Sequence, residues 1–188
     1  MLNEPTTDGR LAKGEQRKRE LIEATLRIVA RDGVSGVSHR TVAREAGLPA
    51  TAAAYHFRGI EDLLTAALTR CMDEDAERMR ALAEEADGGA DTLRKLAVLM
   101  ADVVAKPGHL LAEYELYLLA VRDPELREST HRWMEALADF ARRYTDDPVR
   151  IEMLVGLVDG LLLQGLLRDD QLTVDRFEAI LRTALGRK

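Results

Sequence analysis

SHRTVAREAGLPATAAAYHF, residues Ser38 to Phe57, reads as two short helices joined by a tight turn. Ser38 is a residue type that caps a helix N-terminus, and Val42, Ala43 and Ala46 then share one inward-facing stripe. Gly47 stops that helix. Leu48-Pro49 then leads into a second helix, Ala50 to Phe57, with the proline where its missing N–H does no harm. A short helix, a turn of about three residues and another short helix is the spacing of a helix-turn-helix. The second helix is alanine-rich until Tyr55, His56 and Phe57 close it, which keeps it thin enough for a major groove. Ala53 and Phe57, at i and i+4, suit packing on the preceding helix, while Thr51 and Tyr55, with Ala52 and His56 beside them, share the opposite face. On that face Ala50 and Ala52 let the backbone approach base edges or thymine methyls, Tyr55 and His56 reach phosphates, and Arg40 suits a bidentate contact to guanine. The competing reading is an alanine-rich helix buried by its neighbours, with Tyr55 and His56 capping a core. It leaves the convergence of Arg40, Thr51, Tyr55 and His56 on one side without a reason.

Working outward, residues 1–12 are polar, with Pro5 and Gly9, and are expected to form a disordered arm. Lys13, Arg17, Lys18 and Arg19 open the first helix, whose Leu21, Ile22, Leu26, Ile28 and Val29 fall on one stripe before Gly33 ends it. Residues 1–60 carry ten Lys/Arg against seven Asp/Glu, and residues 61–188 carry seventeen against twenty-six. The net charge of −6 therefore conceals a basic N-terminal end, a candidate for a polyanionic partner. A chance distribution on a solvated surface accounts for the asymmetry equally well, so charge alone does not choose.

The 188 residues include only five prolines and are rich in Ala, Leu, Glu and Arg, which favours an all-α architecture. The single cysteine, Cys71, excludes an internal disulfide framework and fits a reducing compartment. No signal-peptide-like segment opens the chain and no apolar run is long enough to span a membrane, so a cytoplasmic protein without a membrane partner is expected. Enzyme chemistry has little support. His39, His56, His109 and His131 form no i, i+4 histidine pair, Cys71 stands alone, and neither a metal-ligand spacing nor a nucleophile with its base is visible. GVSGVS, Gly33 to Ser38, lacks the lysine of a phosphate loop. No cofactor, metal or catalytic residue is expected.

The remaining two thirds reads as a helical bundle. One long helix runs from about Glu61 to Ala86, and DGGAD, Asp87 to Asp91, breaks it. Asp91 is expected to cap a helix reaching about Lys106, Pro107-Gly108 starts another, and Asp123-Pro124 and Asp147-Pro148 open two more. Thr173 caps a last helix, giving about nine in all. MLVGLVDGLLLQGLLR, Met153 to Arg168, is apolar all round and must be covered on every side. Either it is a central helix within one subunit, or it sets one face on its own core and another on a second copy. In the second case Gly156, Asp159, Gly160, Leu163 and Gln164 meet the partner, with Phe177 and Leu181 of the last helix completing a four-helix seam. Met100, Glu113, Tyr114, Tyr117, Trp133, Met134, Leu137 and Met153 come from several helices and are candidates to line a ligand pocket, or else pack a solid core.

The segment Gly33 to Leu64, GVSGVSHRTVAREAGLPATAAAYHFRGIEDLL, resembles the DNA-binding domain of the tetracycline-repressor (TetR) family. The likeness rests on the helix-ending glycine, the hydroxyl cap, the Val-Ala pair, the Ala-Gly turn and the aromatic-His-Phe signature before an acidic-Leu helix start. It implies that Ser38, His39 and Arg40 face DNA, that Ala50, Thr51 and Ala52 approach bases, and that Tyr55 and His56 hold phosphates. Many members carry Tyr at the position of Ala54 and a phosphate-binding Lys at that of Ile60, and Arg58, or Lys13 and Arg17, would have to replace that lysine. The resemblance implies an N-terminal helix-turn-helix domain, residues 13–60, and a helical regulatory and dimerisation domain, residues 61–188. It further implies a homodimer on a double-stranded palindromic operator, released when a small-molecule effector moves the long connecting helix. The alternative is a small-molecule-binding or adaptor protein whose DNA module has decayed.

Overall fold

The computed structural model describes residues 7–86 and 89–185, and among these every regular element is helical. The chain divides into two units, Met1–Ala67 and Leu68–Lys188, with the division inside the fourth helix, later than the boundary expected after residue 60.

In the first unit, α1 (Thr7–Asp32) is followed by a 3-10 turn (Val34–Gly36), α2 (His39–Glu45), α3 (Ala52–His56) and the start of α4 (Ile60–Glu85). The expected arm is corrected here, since residues 7–12 already belong to α1, while residues 1–6 lie outside the described ones. The stripe of α1 is buried at Leu21, Ile22, Ile28 and Val29, and it packs against α2 and α3. Ser38 and Thr41 close a capping box at the head of α2: the Thr41 amide donates to Ser38 Oγ at 3.1 Å and the Ser38 amide to Thr41 Oγ1 at 2.9 Å. At the other end the Leu48 amide donates to the Ala43 carbonyl and the Gly47 amide to that of Arg44, a Schellman closure that needs the left-handed φ of 66° found at Gly47. Glu45 accepts from Arg27 at 3.0 Å and from Arg31 at 3.2 Å, fixing α2 against α1. The third helix is shorter than expected, beginning at Ala52, with Thr51 at its N-cap and Ala50 in the turn before it.

The second unit continues α4 and adds α5 (Ala90–Ala105), α6 (Pro107–Ala120), a 3-10 turn (Pro124–Leu126), α7 (Arg127–Arg142), α8 (Pro148–Leu167) and α9 (Val174–Leu185). Gly89, not Asp91, holds the N-cap position of α5, and Asp91 lies in its first turn. Asp123-Pro124 opens the 3-10 turn, with α7 starting at Arg127. Asp147 caps α8 through the Val149 amide at 2.9 Å, and Thr173 accepts from the Arg176 amide at the head of α9. Helices α5 and α9 pack together and both contact α8, while α7 lies along α8. At Gly165 a Cβ would stand 2.7 Å from the Val104 methyls, so α8 approaches α5 as closely as its backbone allows. Phe177 and Leu181 are fully enclosed within this unit, which corrects their expected place at a seam between copies: the stripe of α9 is consumed by α5 and α8. Among the described residues no helix is long and apolar enough to cross a membrane.

Candidate nucleic-acid interface and ligand cavity

The helix-turn-helix leaves one set of side chains outside its core. Ala53 and Phe57 of the α3 segment are buried, as their i, i+4 spacing requires, and Lys18 Nζ stands 6.0 Å from the Phe57 ring centroid. Opposite them, Ala50, Thr51 and Ala54 are exposed, Ala52 is half-buried, and Tyr55 is 84% exposed. Tyr55 meets the half-buried His56 edge-on, with ring centroids 5.0 Å apart. The Thr51 side chain makes no capping bond to its own helix. Ser38 differs: its hydroxyl is committed to the α2 cap. His39 is half-buried, with Nε2 enclosed and bonded to nothing among the described residues. Lys13, Arg17, Arg40 and Arg58 are exposed and join no ion pair among the described residues, whereas Arg27 and Arg31 are held by Glu45. Ile60, half-buried, occupies the first position of α4, and the exposed Arg58 lies two residues ahead, its amide donating to Asp62. A face of small side chains, in a unit that also carries unpaired exposed cations, can admit a polyanion closely and hold it by charge.

The second unit contains a partly open cavity of about 40 Å³. Its walls come from Asp75, Arg78 and Met79 of α4, Leu96, Leu99, Met100 and Val103 of α5, His109 and Glu113 of α6, Trp133 of α7, and Val158 and Leu162 of α8. Of the pocket candidates, Met100, Glu113 and Trp133 line this cavity. The other candidates are corrected. Leu137 is solid core, Met153 is 54% exposed on the far side of α8, Met134 and Tyr117 line separate surface clefts, and Tyr114 donates to the Asp159 backbone carbonyl at 2.7 Å. Asp159, expected at a dimer seam, instead accepts from Trp133 Nε1 at 3.3 Å inside its own unit. The polar wall of Asp75, Arg78 and His109 was missed. Its available signal was the i, i+4 spacing of His109 and Glu113, since a search for histidine pairs passes over a His–Glu pair.

The wall is electrostatically loaded. Burial pushes the Glu113 carboxyl well above the usual range, and the neighbouring Asp75, to which it is hydrogen-bonded, pushes it further. Burial raises Asp75 too, against the opposing pull of Arg78, whose guanidinium lies 3.0 Å away. Asp159 is raised by burial and partly relieved by Trp133. Burial and the adjacent Glu113 push the Cys71 thiol up, which leaves it protonated and inert.

Of the expected seam residues on α8, Gly156, Leu163 and Gln164 are exposed and Gly160 is half-buried; neither glycine has anything within 4 Å of where a Cβ would stand. Gly156, Gly160 and Leu163 form an apolar row along the helix with Val149, Met153 and Leu167, and the polar Gln164 lies beside it, Leu167 being 80% exposed.

Residues 21–67 match the family model described as bacterial regulatory proteins, tetR family, and residues 84–187 match that of the tetracyclin repressor-like C-terminal domain. The HTH-type transcriptional regulator PksA of Bacillus subtilis (strain 168) is 26% identical over 183 residues, covering 89% of this chain and 87% of that protein. The HTH-type nicotine-responsive transcriptional repressor HdnoR of Paenarthrobacter nicotinovorans is 30% identical over 112 residues, 57% of this chain and 56% of its own. The crystal structure of multidrug binding protein EbrR complexed with ethidium superposes with a TM-score of 0.73 at 34% identity, covering 90% of this chain and 98% of that one.

Proposed function

The chain belongs to the tetR family of bacterial regulatory proteins, and from that premise we propose that it is a ligand-responsive repressor that binds a palindromic operator as a homodimer in the cytoplasm. That it is a DNA-binding transcriptional regulator and not an enzyme follows from the family. The observation that carries the finer reading is the exposed α3 face of small residues, in a unit where Arg40, Arg58, Lys13 and Arg17 are exposed without partners of their own. In this reading Ala50, Thr51 and Ala52 meet base edges, Arg40 reads a guanine, and Tyr55 and His56 contact phosphates. His39, the first residue of α2, turns only its exposed part to DNA, its Nε2 being enclosed, and Ser38 acts by holding the head of α2 in place. The intact caps and free cations favour a competent DNA module over a decayed one.

Ligand response is supported by the partly open cavity, which a larger effector would widen by parting its helices, by the nicotine-responsive repressor among the relatives, and by the ethidium bound to the multidrug binding protein. Homodimerisation is supported by the stripe Val149, Met153, Gly156, Gly160, Leu163 and Leu167, an apolar row that a second copy of α8 would cover. Two such copies would present two α3 helices to successive major grooves. The α4 helix belongs to both units in sequence, so a ligand-driven change in its second half has a covalent route to the first. Coupling of this kind is reciprocal: effector must weaken DNA binding by the factor by which DNA weakens effector binding.

The test is fluorescence anisotropy of the purified protein on DNA from upstream of its own gene, against scrambled DNA. Selective binding, reduced at least about tenfold by Arg40→Ala as for loss of one bidentate base contact, is the expected result. Equal affinity for both DNAs, repeated with fragments selected from the whole genome, would exclude the operator reading.

A further inference from the structure

The polar wall of the cavity brings together donors that the DNA-binding reading does not use. Asp75 of α4 and His109 and Glu113 of α6 can each place one ligand atom, a carboxylate oxygen or an imidazole nitrogen, within 4.8 Å of the other two. His109 and Glu113 stand one helical turn apart on the same face of α6, whose first turn begins at Pro107, so two of the three donors are set by one rigid element.

Two features of this cluster suit a cation. Asp75 and Glu113 have their carboxyl groups in contact, and Glu113 is only 7% exposed, an arrangement that a shared proton or a bound cation must neutralise. Arg78 supplies some of it, but by pairing with Asp75 from a half-exposed position. Independently, His109 Nε2 is enclosed and has no hydrogen-bond partner among the described residues. Such a nitrogen, set beside two carboxyl groups, calls for a water or an ion as its partner.

Size and donor type decide which cation. A single water needs roughly 10–15 Å³ of such space, so a cavity of about 40 Å³ takes an ion with one or two waters and no polycyclic molecule without the helices parting. One imidazole nitrogen with two carboxylate oxygens is a set that suits zinc and neighbouring first-row divalent ions, whereas calcium asks for six to eight oxygens. Donors about 2.1 Å from a tetrahedral zinc stand about 3.4 Å apart, so the three side chains must draw inward, which their terminal torsions permit.

We propose that Asp75, His109 and Glu113 bind one divalent first-row transition-metal ion, of which zinc is the best fit, with the cavity providing the fourth position for water. The site needs no operator, and it is tested without DNA on the full-length, tag-free protein stripped by chelator. Isothermal titration with zinc chloride is expected to give one ion per chain. His109→Ala and Glu113→Gln are each expected to weaken binding at least about a hundredfold, while His131→Ala, which alters an exposed histidine elsewhere, leaves it unchanged. Arg78→Ala, which removes the competing cation, retains or tightens it. Cobalt(II) bound to the unaltered protein is expected to show d–d absorption without a sulfur-to-metal charge-transfer band, a readout that does not depend on the variants folding. Absence of stoichiometric zinc binding, equal affinity in the His109 and Glu113 variants, or a charge-transfer band implicating Cys71 would each overturn the assignment.

Discussion

Ser38 shows why a residue's chemistry and its use have to be separated. Its hydroxyl was a candidate to face DNA, yet in the structure it accepts the Thr41 amide and secures the head of α2. Truncating such a cap costs about 1 kcal/mol, so Ser38→Ala is expected to lower the urea midpoint of the first unit accordingly and to weaken DNA binding less than Arg40→Ala does. Local chemistry of this kind was legible: Ser38, Gly47, Asp147 and Thr173 act where the sequence put them, because capping needs only neighbours. Asp159 was not legible, because its partner Trp133 lies on another helix. Burial raises the Asp159 carboxyl above its unfolded value, so the native state binds the more protons between the two values and stability falls as pH rises through that window. Above the window the full penalty remains. Asp159→Asn, which keeps an oxygen for Trp133, is therefore expected to raise the thermal midpoint by a few degrees at pH 8 and to leave it nearly unchanged at pH 3. A midpoint that falls equally at both would show that the carboxylate is held for a favourable contact instead.

At the scale of the element, α8 separates what an apolar pattern states from what it leaves open. Its sequence demanded cover on all sides, but with no polar face to mark an orientation the pattern could not say which residues meet which neighbour. The structure divides them: Leu154, Val158, Leu161, Leu162 and Gly165 are buried in their own unit, while Val149, Met153, Gly156, Leu163 and Leu167 are exposed and Gly160 is half-buried. The buried set is the face that the sequence reading placed on the chain's own core. For α9 the seam reading failed at Phe177 and Leu181, because one amphipathic stripe cannot serve two partners and α5 takes it. Leu163→Glu places a charge in the middle of the open stripe without touching the enclosed side. It is expected to convert a dimer to a monomer in light scattering while helix content and the thermal unfolding of the isolated chain stay as they were. A dimer that survives the substitution would move the interface away from α8.

For the whole molecule the uneven charge becomes a quantity that can be read. The first 60 residues are net basic and the remainder strongly acidic, so attraction to DNA must be concentrated in the helix-turn-helix, and the regulatory unit adds repulsion rather than grip. Lys13, Arg17, Arg40 and Arg58 are the exposed, unpaired cations that this reading assigns to DNA. If all four in each of two subunits neutralise phosphates, the slope of log K against log salt is about −7, since each contact releases about 0.9 ion. A single subunit on its half-site gives about half that, so the same titration reports stoichiometry as well as contacts. Ile60 then becomes the sharpest probe, because it sits at the start of α4 where relatives by resemblance carry a phosphate-binding lysine. Ile60→Lys is expected to steepen the slope by about two for a dimer and to tighten binding most at low salt, on operator and scrambled DNA alike. An unchanged slope would mean that Arg58 already occupies that phosphate, and Arg58→Ala should then make it shallower by the same amount.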